Sequence, residues 1–135
     1  MFIAEGDDAA TAITTGGTFV KVAGTTTPGI LDGFTHTDGR LTFNGPKRRF
    51  NVSVTATNSA NLNGAIVHLQ LNKSGTLIAP SEQHRKIGSA GDLGNMSCPF
   101  VVELENGDYI ELWATTELGQ DGKTITCEHC VLTIW

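Results

Sequence analysis

Charge is scarce in this 135-residue chain: 17% of the residues are Asp, Glu, Lys or Arg, and acidic groups outnumber basic ones 14 to 9. A net charge of −5 removes the electrostatic case for nucleic acid or an anionic membrane surface, either of which needs a basic face. Long apolar runs are missing too, and none approaches the ~20 residues that a bilayer-spanning helix requires. Cysteine is limited to three residues, too few for a disulfide-dense scaffold. The opening stretch MFIAEGDDAA has neither the basic nor the apolar region of a secretory signal peptide, so export by that route is not expected. Only two Trp and one Tyr are present, and both Trp113 and Trp135 fall in apolar strand-like runs. That counts against a sugar-binding module built from aromatic loops.

What is abundant is turn and strand chemistry. The chain holds 16 Gly together with many Thr and Asn, and Thr and Val suit strands while Gly and Asn suit the φ > 0 positions between them. A chain of this length forms one domain and buries roughly two-thirds of its unfolded surface. Residues 1–17 are small, acidic and weakly patterned, and read either as an irregular arm or as an arm that orders against a partner through Phe2 and Ile3. Residues 18–135 form the head domain. In it Phe50, Val52, Val54 and Ala56 alternate with polar residues, as do Ala65, Val67, Leu69 and Leu71. Turns fall at Asp38-Gly39 and Asn72–Gly75. The clearest stretch is 98–114, where two alternating runs meet at Asn106-Gly107; this predicts a β-hairpin with a type I′ turn. The whole reads as about eight to ten antiparallel strands without a helix: all-β, a sandwich or barrel whose even spacing suits a jelly roll.

Candidate chemistry is thin. Cys127-Glu-His-Cys130 supplies one C-x2-C pair where a structural zinc site usually needs two, and in a strand residues three apart point to opposite faces. A disulfide from Cys98 to Cys127 or Cys130 stays open, with buried reduced thiols as the favoured state. His36, His68, His84 and His129 are dispersed and lie in no motif with a nucleophile or carboxylate. Glu103, Glu105, Asp108 and Glu111 cluster around the expected hairpin and read as a solvated outer face rather than a glycosidase pair. No catalytic residue, metal-ligand set or cofactor is assigned. Lys47-Arg48-Arg49 concentrates three of the nine basic residues, as a solvated loop or a contact for an acidic neighbour. The Asn-x-Ser sequons at Asn51, Asn72 and Asn95 read as chance matches.

Phe50-x-Val, Val67-x-Leu-x-Leu, Val102-x-Leu-x-Asn-Gly-Asp-Tyr-Ile-Glu-Leu and the closing Val131-Leu-Thr-Ile together resemble the jelly-roll head of tumour necrosis factor and the first complement component. Val20-Lys-Val-Ala-Gly-Thr-Thr-Thr and Phe34-Thr-His-Thr-Asp-Gly-Arg-Leu-Thr-Phe-Asn-Gly are more narrowly similar to small phage virion proteins built on that head. The resemblance implies a homotrimer with apolar groups of one sheet meeting at an axis. The residues ask for something of the kind, because Phe100–Val102 and Val131–Trp135 are apolar on both faces and a two-layer sandwich buries one. Loops or the N-terminal arm are the alternative cover. Interface candidates are Phe100, Val101, Tyr109, Trp113, Val131 and Trp135; docking candidates are Phe2, Ile3, Lys47, Arg48 and Arg49. The implied function is a non-enzymatic capsid-decoration protein at the virion surface, assembled in the host cytoplasm and seated on the major capsid protein. A receptor- or carbohydrate-binding fibre tip is the alternative. An enzyme of cupin type would need clustered histidines.

Overall fold

Alternating apolar and polar residues organise residues 1–135, all described by the computed structural model, into two antiparallel sheets packed face to face. The first sheet has the order β1 (Phe2–Ile3), β12 (Lys123–Ile134), β6 (Arg48–Ala60), β10 (Gly94–Leu104), with β2 (Ala10–Ile13) also pairing β12. The second runs β4 (Phe34–Thr37), β5 (Arg40–Phe43), β11 (Tyr109–Thr116), β7 (Ile66–Lys73), β8 (Thr76–Leu77). To it β3 (Val20–Lys21) adds through β11 and β9 (Gln83–Lys86) through β7. The all-β sandwich expected from the sequence is therefore what the chain adopts. Its twelve strands exceed eight to ten because β1 and β2 lie within residues 1–17, where short, weakly patterned segments leave no periodic signal.

The inner faces merge into one core of 26 buried residues. Val52, Val54, Cys98, Leu104 and Leu132 from the first sheet meet Val67, Leu69, Leu71, Ile110 and Ala114 from the second. At one end Phe34, Phe43 and Phe50 form an aromatic triad with centroids 4.8–5.3 Å apart, in which Phe50 meets the other two rings near edge-to-face, the arrangement ring quadrupoles favour.

Two features differ from the sequence reading. Residues 98–114 are not a hairpin: β10 pairs with β6 and β11 with β7, β5 and β3, so the chain crosses from one sheet to the other at Asn106-Gly107. The backbone shows why. At Asp38-Gly39 and Ser74-Gly75 both turn residues have positive φ, as a type I′ hairpin needs, and each joins paired strands. At the crossover only Gly107 does, at +91°. The Glu105 carbonyl accepts from the Asp108 N–H at 2.9 Å, so this is a four-residue turn of type II character that redirects the chain instead of folding it back.

Residues 1–17 are likewise no loose arm. β1 and β2 both pair with β12, and Ile3 and Ile13 lie in the core at 3% and 1% exposure. Residues beyond β2 are pinned as well: Gly17 N–H donates to Thr116 O and Gly16 N–H to Asp121 Oδ1, both at 2.8 Å. Ile3 opposes Cys130, so pleating turns it inward and removes it from the docking candidates, while Phe2, opposite Val131, faces out.

Candidate functional site

The interface and docking candidates divide among four places. Phe100 shares its strand face with Cys98 and Val102 and packs against the core, which leaves it only partly exposed. Val101 points outward from the first sheet at 56% exposure, among short polar side chains such as Asn51, its partner across the strands. Tyr109 and Trp113 belong to the outer face of the other sheet, so the six interface candidates make no single surface.

On that second face the half-buried aromatics are engaged within the chain. The Arg40 guanidinium lies 3.7 Å from the Tyr109 ring centroid, and its Nε donates to Glu111 Oε1 at 3.1 Å. Trp113 Nε1 donates to Glu111 Oε2 at 3.0 Å. Glu111, expected on a solvated face, is 2% exposed; neighbouring Gln70, Asn72 and Thr115 are also buried. The face is polar by sequence, yet its own Trp, Tyr and Arg seal it.

The remaining candidates, Lys47 excepted, converge. Phe2, Arg48, Arg49, Val131 and Trp135 line a cleft of about 760 Å³, together with Ile30, Leu31 and Phe34. Eleven of its 16 lining residues are hydrophobic. Phe2 is held by a reciprocal backbone pair with Thr27 at 2.8–2.9 Å, and Trp135 by one with Asn51 at 2.9–3.1 Å, so the walls are fixed by backbone. The side chains at the rim are not covered: Ile30 is 100%, Trp135 65% and Val131 40% exposed. Arg48 stacks over Phe50 at 4.6 Å, its charge outward and its stem on the aromatic triad. Lys47, outside the cleft, and Arg49, on its lining, face Glu103 of their own chain, at 2.7 and 3.8 Å. The Lys47 hydrogen bond holds the Glu103 carboxyl below its ordinary pKa and Lys47 above its own. The basic triplet is thus spent partly on an internal pair.

The cysteines are three buried free thiols. A bulge between Cys127 and His129 adds one residue to β12, so Cys127 and Cys130 both face inward, contrary to simple alternation. Burial pushes the Cys98 thiol up to about 12, and the hydrogen bond to Cys130 raises Cys127 while lowering Cys130. These are packing thiols, held protonated at Cys98 and Cys127.

The histidines, dispersed in sequence, are not all dispersed in space. His68 and His84 are directly opposed across β7 and β9, their ring centroids 5.0 Å apart. Glu82 Oε1 lies 2.7 Å from His68 Nδ1 and Glu117 Oε2 3.4 Å from Nε2. The one sequence signal for this cluster is Glu82-Gln-His84, a two-residue spacing that in extended backbone sends both side chains the same way. Compared with protein-family models and with curated proteins, the chain matches none.

Proposed function

We propose that the chain is a non-enzymatic structural head, a homotrimeric decoration protein of a phage capsid, and that the apolar cleft is its self-association surface. One observation carries the reading: a fully exposed Ile30 stands on the rim of an open cleft walled by Phe2, Val131 and Trp135. A protruding apolar group beside an apolar recess is the arrangement of a heterologous contact, in which each copy inserts into the next and a ring closes if the rotation allows. Exposed apolar groups grouped in this way mark an interaction site, whereas the same groups scattered singly would not. The sandwich architecture is compatible with the jelly-roll head that the sequence resembles, and the virion setting rests on that resemblance.

The test is the mass of the protein by light scattering at micromolar concentration. Three times the 14.3 kDa chain mass is expected for the wild type, and a single chain mass for Ile30→Asp. Both substituted and rim positions are exposed, so folding is retained. A wild-type monomer would end the trimer reading. It would favour a fibre-tip binding module instead, for which the exposed Trp135 ring beside the cleft is the supporting observation, since such a ring is a stacking platform for a sugar.

A further inference from the structure

At the edge of the second sheet, away from the apolar cleft, side chains of three segments converge on His68. Its partner across the strands is His84, and Glu82, just before the edge strand, reaches the same imidazole. One donor atom from each of His68, Glu82 and His84 lies within 4.8 Å of the others. Glu117, just beyond β11, approaches from the opposite side of the imidazole. We propose that this cluster binds a borderline divalent transition ion of the Zn²⁺ class through His68, His84 and Glu82, with water completing the shell.

Three observations support it. The donor set is chemically apt, because imidazole and carboxylate are the ligands of open zinc sites, which carry three protein ligands plus water. The two ends of His68 are differentiated. Nδ1 faces Glu82 at 2.7 Å, so it is the nitrogen directed at the ion, while Nε2 is left facing Glu117 at 3.4 Å. Nε2 is buried and has no close hydrogen-bond partner. A metal-bound histidine characteristically donates its second ring N–H to a carboxylate, which fixes the tautomer and raises ligand basicity. Fixing Nδ1 on an ion makes Nε2 the protonated nitrogen and draws Glu117 in as that acceptor. Finally, the exposure gradient suits ion entry: the His68 side chain is 12% exposed, Glu82 35% and Glu117 46%, and His84 is exposed.

Bonds of about 2.0–2.2 Å in a tetrahedron place donors roughly 3.3 Å apart. The donors here lie within 4.8 Å of one another, so binding requires the exposed His84 and half-buried Glu82 side chains to rotate toward the ion. The ion would clamp β9, whose only strand partner in the sheet is β7, more firmly onto that strand.

The test is titration of Zn²⁺ into the chelator-treated full chain by calorimetry, with Co²⁺ absorption as the spectroscopic readout. One equivalent per chain is expected, with visible d–d bands of a low-coordinate site. His84→Ala, at an exposed position, should weaken binding at least tenfold. Glu117→Gln should weaken it about 10–100-fold if it orients His68. His36→Ala should change nothing. Absence of saturable binding would overturn the proposal, as would affinity unchanged in His84→Ala. A near-ultraviolet thiolate-to-Co²⁺ band would also overturn it by locating the ion on Cys127 and Cys130.

Discussion

Glu111 shows how one residue can be legible in its direction and misread in its environment. Period-two alternation on β11 correctly turns it away from the core, and from that the sequence implies a wet carboxylate. Outward is not solvated when the residues beside it are Trp113, Tyr109 and Arg40, whose long side chains lie across the face. A carboxyl group at 2% exposure is tolerable only with its hydrogen-bond partners in place. Arg40→Ala should therefore destabilise the protein by about 1.5–3 kcal/mol, the range for a hydrogen bond to a charged group left unmade. Arg40→Lys should recover only part of that, since an ammonium keeps the charge but loses the planar stack on Tyr109. Urea midpoints at constant slope measure both. A loss within 0.5 kcal/mol, as for ordinary surface changes, would mean that Glu111 is hydrated after all. His68 and His84 went unread for a different reason. Sixteen positions separate them in sequence, and only the pairing of β7 with β9 brings them opposite.

At the scale of elements, alternation locates strands well but is silent on partners. The runs over β6, β7, β10 and β11 coincide with strands in the structure, and their core faces are the ones the pattern indicates. What failed was pairing. Asn106-Gly107 is compatible with a hairpin locally, yet inter-sheet packing separates its arms because β10 finds eleven partners along β6. Long-range pairing of that kind leaves no local signature. The same limit hid β1 and β2, whose short apolar positions acquire meaning only against β12. The consequence is testable. In a loose arm Ile13→Ala would be neutral; in a core strand, where Ile13 is 1% exposed, it should cost about 2–5 kcal/mol. Thermal and urea unfolding read the difference, and a neutral result would detach residues 1–17 from the folded body. Ala10→Ser, at an exposed position on the same strand, is the matched control.

For the molecule as a whole, stability depends on keeping two sheets in register without a covalent tie, and the crossover at Glu105–Asp108 is one place where they are joined. Asp108 there accepts from Ser74 Oγ at 2.9 Å and from the Glu105 N–H at 3.0 Å, and pairs with Lys73 Nζ at 2.9 Å. Lys73 also donates to the Glu103 carbonyl at 2.7 Å, so a single network links the end of β10, the start of β11 and the β7–β8 hairpin. Burial raises the Asp108 pKa, but the hydrogen bonds from Lys73, Glu105 and Ser74 together outweigh it, and the net shift is downward from 3.8. The sign follows from linkage. A carboxyl whose pKa is lower folded than unfolded adds stability that is full above the unfolded value and drains away as pH falls through the folded one. Acidification from about pH 5 to pH 3 should therefore weaken the wild type more steeply than Asp108→Asn. The variant should be the less stable of the two at neutral pH, and the difference should narrow in acid. High salt should shrink the neutral-pH gap only in part, because screening reaches the Lys73 ion pair more than the two neutral donors. Urea midpoints at pH 7, 5 and 3 supply the comparison, and parallel profiles for the two proteins would show that the crossover is held by backbone and packing alone.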